Sequence, residues 1–168
     1  GSSLVTNIAF SNLNITGRYY VGGVSGLAGG GTISSITLGS GAISGTSDTG
    51  GVIGRSNGGT LSSVNSAVTV NAGGGRAGGL IGQCDACGTA NSISSGSVTG
   101  VDYVGGVVGL VSSGGNFTKV YVAGNVSSDT GQAGGFAGHM TATSWVTQCG
   151  ASGNVTNTTS GPVGGFVG

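Results

Sequence analysis

Apolar residues return along this chain on two scales at once. Over a few residues they alternate with small polar ones, as in Thr32-Ile33-Ser34, Val68-Thr69-Val70 and Val120-Tyr121-Val122, the period of two that marks β-strands. Over longer distances they recur about every 28 residues: the file Ile15, Ile43, Val70, Val98, Val126, Val155 has steps of 28, 27, 28, 28 and 29. A looser file runs Ile8, Ile36, Val64, Ser92, Val120, Gln148, and a third gathers Ile33, Leu61, Phe117 and Trp145. No stretch holds the 3.6-residue period of a helix, and Ala, Leu, Glu and Lys are too scarce to sustain one.

The long period also governs a glycine phrase of Gly-Gly, two mostly apolar residues and a third Gly. It reads Gly22-Gly23-Val24-Ser25-Gly26, Gly50-Gly51-Val52-Ile53-Gly54, Gly78-Gly79-Leu80-Ile81-Gly82, Gly105-Gly106-Val107-Val108-Gly109, Gly134-Gly135-Phe136-Ala137-Gly138 and Gly164-Gly165-Phe166-Val167-Gly168. Self-similarity at a fixed period marks a repeat architecture, in which each unit buries its apolar face only by stacking on its neighbours. At about 3.3 Å per residue one unit traces a loop of roughly 90 Å, room for about three short strands and their corners. Stacked about 4.8 Å apart, such loops pair each strand with its equivalent and turn the apolar files into a continuous core.

The expected fold is therefore all-β, a parallel β-solenoid of about 28-residue coils with about five full coils and no capping elements. It forms one domain over residues 1–168, with a half-repeat at 1–21, repeats beginning at 22, 50, 78, 105 and 134, and a further half-repeat at 164–168. Glycine at the corners supplies positive φ, and within the phrase the missing side chains let opposite walls approach closely. A phosphate-binding loop would need such a phrase to open a helix with a Lys or acidic partner, and six copies without helices exclude it.

Composition alone suggests a flexible linker: 41 Gly, 24 Ser, 18 Thr and no Glu. The 36% of hydrophobic residues placed at recurring offsets outweighs that reading. Net charge is zero, with Arg18, Arg55, Arg76 and Lys119 spread through the chain, so no basic patch answers nucleic-acid phosphates. The weakly polar stretch Val104–Val111 is too short to span a bilayer and holds three Gly. Gly1-Ser2-Ser3 does not open a secretory signal, so an exported form would be seen here after processing.

The phrase, best preserved as Gly79-Leu80-Ile81-Gly82 followed by Asn91-Ser92-Ile93-Ser94-Ser95-Gly96-Ser97-Val98-Thr99-Gly100, resembles the GLUG motif repeats. These are named for Gly-Leu-any-Gly and occur in large bacterial and archaeal surface proteins and adhesins. Other copies replace Leu by Val or Phe, and the likeness covers nearly the whole chain. What it implies is an extracellular repetitive stalk or adhesive segment; no catalytic residues and no particular ligand come with it.

Candidate chemistry is sparse. Asp48, Asp85, Asp102 and Asp129 are thinly spread at unequal offsets from the phrase, which suits solvated corners better than the clustered carboxylates of polysaccharide-cleaving β-helices. The phrase never continues to an Asp, so the nonapeptide Ca²⁺ pattern is absent. His139 could join Cys84, Cys87 and Cys149 in a zinc site, but the first two cysteines lie two repeats from the others, about 9–10 Å along the axis. Cys84-Asp85-Ala86-Cys87 has no helix N-terminus to activate a redox thiol, so a local disulfide suits an oxidising exterior better. Cys149 is left over, either buried as a small apolar residue or available for intermolecular pairing. No cofactor or metal is expected.

Five Asn-x-Ser/Thr sequons occur, at Asn14, Asn116, Asn125, Asn154 and Asn157. Asn14, Asn125 and Asn154 directly precede members of the strict apolar file, so they face outward together if Ile15, Val126 and Val155 face inward. A glycan-bearing face and a bare polar surface both fit that stripe. Ice binding would need a flat double row of threonines, which Thr37, Thr69, Thr99 and Thr156 do not form.

The half-repeats at the two ends nearly complete one another: joining residue 168 to residue 1 of a second copy puts Ile8 twelve residues after Gly164, against 14 or 15 internally. The chain then reads either as a window from a longer array or as a subunit stacking head to tail in a contact that does not close. The function expected is a non-enzymatic structural protein of an extracellular filament or cell-surface stalk, a homopolymer partnered with itself, with glycans as a further partner where the sequon stripe is read as glycan-bearing. The alternative is an adhesin or carbohydrate-binding segment using Tyr19, Tyr20 and Tyr103 as stacking platforms.

Overall fold

The computed structural model describes residues 3–168. The first turn is built from β1 (Leu4–Phe10), β2 (Leu13–Thr16), β3 (Val21–Gly22) and β4 (Ser25–Ala28). The second holds β5 (Thr32–Leu38), β6 (Gly41–Gly45), β7 (Thr49–Gly50) and β8 (Ile53–Asn57), and the third β9 (Thr60–Ser66), β10 (Thr69–Ala72), β11 (Arg76–Gly78) and β12 (Ile81–Asp85). The fourth holds β13 (Cys87–Ser94), β14 (Val98–Gly100), β15 (Tyr103–Gly105) and β16 (Val108–Val111). The fifth holds β17 (Gly115–Val122), β18 (Val126–Ser128), β19 (Gln132–Gly134) and β20 (Ala137–Met140). In the sixth the first strand is split into β21 (Trp145–Thr147) and β22 (Gly150–Ala151), followed by β23 (Val155–Asn157) and β24 (Val163–Gly164), and the turn closes on a bridge from Val167 to Ala137.

Equivalent strands pair in parallel, giving four sheets that run the length of a β-solenoid of five complete turns and a nearly complete sixth. Ile15, Ile43, Val70, Val98, Val126 and Val155 form one vertical file, in register at every step. Each turn carries four strands where about three were expected. The glycine phrase is itself a strand–bend–strand unit, and arms as short as two residues leave no alternation to read.

Two cores result. The larger lies between the first and fourth sheets and includes Ile33, Ile36, Leu61, Ile81, Phe117 and Phe136. Phe136 meets Phe117 edge to face at 5.4 Å and stacks on Phe166 at 4.7 Å. The smaller, of Val70, Val98 and Val126 against Ala77, Val104 and Ala133, joins the second sheet to the third.

The strands of the first sheet are bent at one position in every turn. Asn7, Ser35, Ser63, Asn91, Lys119 and Gln148 all hold left-handed φ values between 48° and 56°, a file of non-glycine residues in a conformation most side chains avoid. The bend turns Ile33, Ile36 and Leu38 all inward, a spacing of three then two. It also corrects two files. Gln148 occupies the left-handed position and Cys149 takes the inward place, its Sγ accepting the Val120 amide as the Ser92 Oγ accepts that of Val64. Thr89 and Val146 continue Leu61 and Phe117, leaving Trp145 outside. Replacing Lys119 with Asn, which tolerates this conformation, is expected to stabilise the chain by about 0.5–1 kcal/mol, read as a raised urea midpoint at unchanged slope.

None of the phrase glycines has a left-handed φ; they are glycine because of what approaches them. A Cβ on the third Gly of the phrase would strike the backbone of the third sheet: Gly82 would meet the Thr49 nitrogen at 2.6 Å and Gly109 that of Ala77 at 2.8 Å. The third and fourth sheets thus pack backbone on backbone, closer than the ~10 Å of sheets separated by side chains. A Cβ on the second Gly would lie closer than 3.0 Å to the carbonyl oxygen of the same Gly one turn on, from Gly23 over Gly51 through to Gly135 over Gly165. At Gly165 it would meet nothing within 4 Å.

Candidate functional site

One cluster of charged and aromatic side chains, Tyr20, Arg55, Asp85, Tyr103 and His139, lies on the outer surface along the third and fourth sheets. The Arg55 guanidinium contacts the Asp85 carboxylate at 2.8 Å and lies over the Tyr20 ring. Partial burial opposes the charge on Arg55, but Asp85 and Tyr20 outweigh it and raise the pKa above its ordinary value. Asp85 also accepts hydrogen bonds from Gln83 Nε2 and the Ser112 hydroxyl. Further along, Tyr103 stacks on His139, whose Nδ1 faces Gln132 Oε1.

Asp48, read from sequence as a solvated corner, is instead fully buried. One oxygen pairs with Arg76 at 2.9 Å, while Oδ2 has no partner among the described residues. A buried carboxylate held by one arginine depends strongly on that partner. Asp102 and Asp129 are exposed, and the described residues contain no group of three or more His, Cys, Asp or Glu placed to hold a metal.

Cys84 and Cys87 are joined by a disulfide, both buried in the larger core, so neither sulfur is free to bind zinc beside His139. The bridge closes the corner between the fourth and first sheets, where Ala86 adopts a left-handed φ of 55°. Cys149 is a free, half-buried thiol on the inward file. Reduction is expected to lower stability by about 2 kcal/mol, the loop-closure value for so short a ring, without unfolding the chain. Urea midpoints with and without reductant, in a Cys149→Ala background, measure it.

Three sequons lie where the alternation places them. Asn14, Asn125 and Asn154 are exposed on the outer face of the second sheet. The Asn14 and Asn125 Oδ1 atoms accept the Ala42 and Asn154 amides one turn on. Asn116 is exposed on the outer face of the first sheet. Asn157 differs: its Nδ2 donates to the Gly131 carbonyl and its Oδ1 accepts the Thr159 and Gly161 amides, so it ties a corner together.

Among the tyrosines read as platforms, Tyr19 is 65% exposed with Arg18 beside its ring, Tyr20 shares its face with Arg55, and Tyr103 is taken up by His139. The most exposed aromatic is Trp145, at 71%. With Tyr121, at 49%, it stands on the outer face of the first sheet, a surface the sequence reading passed over. There Thr32, Ser34, Thr60 and Ser62 form two rows of hydroxyls, with Thr60 donating to Thr32 at 3.2 Å and Ser34 to Thr6 at 3.1 Å. The signal was legible in principle, since Thr32-x-Ser34 recurs as Thr60-x-Ser62. Among the described residues no helix is long and apolar enough to cross a membrane. Comparison with protein-family models, with curated proteins and with solved structures yields no match, so the geometry of the solenoid carries the functional reading.

Proposed function

We propose that this chain is a non-enzymatic structural protein of an extracellular filament or cell-surface stalk, in which solenoid turns continue from one copy into the next. The observation that carries the reading is the unbroken register of the turns: equivalent strands pair in parallel through four sheets, and at five successive steps the second Gly of the phrase lies beneath the carbonyl oxygen of the following turn, so each turn is built to carry another of its kind.

In this arrangement β1, β2 and β3 of one copy extend the ladders ending in β21, β23 and β24 of another, a heterologous contact that propagates without closing. A buried disulfide suits an oxidising exterior. The resemblance to GLUG repeats supports the same setting, and glycans on Asn14, Asn125 and Asn154 would project outward from the second sheet rather than along the stacking axis. Negative-stain electron microscopy of the purified protein tests the proposal. Filaments without added ligand are the expected result, and a protein that stays monomeric in sedimentation at high concentration overturns it.

A further inference from the structure

The hydroxyl rows of the first sheet's outer face break at one strand. On β13 the row positions are Gly88 and Ala90, flanked by Thr60 and Ser62 on β9 and by Asn116 and Thr118 on β17. With strands about 4.8 Å apart, the small residues leave a slot one strand wide between walls roughly 9–10 Å apart. Its volume is about 340 Å³. Thr89 between them is 2% exposed and turns inward on the file of Leu61 and Phe117, so the row positions themselves hold no side chain larger than a methyl group. No charged side chain lines the slot. In the next strand beyond Asn116, in the same row, stands Trp145 with most of its ring in water.

We propose that this slot binds a neutral oligosaccharide, one ring seated edge-on over Gly88 and Ala90 and a neighbouring ring stacked on Trp145. Sugar rings present hydroxyls at their edges and C–H groups on their faces. The slot offers hydroxyls and an amide on its walls (Thr60, Ser62, Asn116, Thr118) and an aliphatic floor, and Trp145 offers the flat apolar surface. The absence of charge along the lining selects against acidic sugars, whose carboxylates would be desolvated without a cation. The same break in the rows, together with projecting Trp145, Tyr121 and Ile93, denies the face the uninterrupted flat lattice that ice would require. The slot lies on the flank of the solenoid, but Trp145 stands on β21, the last strand of the first sheet, so binding is read at concentrations where sedimentation shows the chain monomeric.

Trp145 is the single tryptophan of the sequence and therefore reports directly. The intact protein is titrated with cellohexaose, mannohexaose and chitohexaose, with hexagalacturonate as the acidic probe, while tryptophan emission is followed. A saturable blue shift with at least one neutral hexasaccharide and none with the acidic one is expected. The double variant Gly88→Thr, Ala90→Ser fills the slot and should weaken binding at least tenfold; a Cβ at Gly88 would lie an ordinary 3.4 Å from Thr60 Cγ2, so the fold should tolerate it. Should that variant misfold, Thr118→Val removes one wall hydroxyl at constant shape and should weaken binding measurably. No shift with any neutral probe, equal binding of the acidic one, or wild-type affinity in the folded variants would each overturn the proposal.

Discussion

Replacing Gly79 with alanine is expected to destabilise the centre of the solenoid by about 4 kcal/mol or more, among the largest effects a single methyl group produces. The new Cβ would lie closer than 3.0 Å to both the Gly106 carbonyl oxygen and the Ser94 hydroxyl. The hydroxyl can rotate away, but the carbonyl cannot. Gly106 belongs to the next phrase, whose own approach to Gly135 is equally close, so a displaced turn pushes every turn after it. Because each unit depends on its neighbours, loss at this interface should let the halves unfold separately. Amide hydrogen exchange would then show protection falling on both sides of residue 79. The control is Gly88→Ala, where only ordinary contact awaits the methyl group and the change should be within about 1 kcal/mol.

The second large effect concerns association. Gly165→Val places a side chain in open space, and its φ is not left-handed, so the melting temperature of the isolated chain should stay within a degree or two. If a second copy continues the ladders, that side chain stands where the incoming Gly23 carbonyl must sit, as the internal equivalents show. Filaments seen by electron microscopy for the unmodified protein should then be absent from the variant. Filaments that persist undiminished would mean that this end is not the stacking surface.

Much of the architecture could be read from residue order because the signal repeats. Ile15, Ile43, Val70, Val98, Val126 and Val155 reinforce one another, and no single substitution hides their spacing. What escaped reading is local. The fifth interval includes a longer corner at Thr141–Ser144, and the shift this introduced misplaced Gln148 and Trp145 by one residue each. The left-handed file has no composition mark, since Asn, Ser, Lys and Gln all occupy it. Asp48 resembled the other three aspartates in sequence, and only the approach of Arg76 from the next turn distinguishes it. The slot on the first sheet is defined by what Gly88 and Ala90 lack relative to neighbours 28 residues away, a difference visible only once the register is known.

The four parallel ladders also have a mechanical meaning. Their backbone hydrogen bonds point along the solenoid axis, so a pull spread evenly over a whole turn, as a stacked neighbour would apply it, loads every bond between two adjacent turns together. Rupture then requires a whole turn's worth of bonds to fail together.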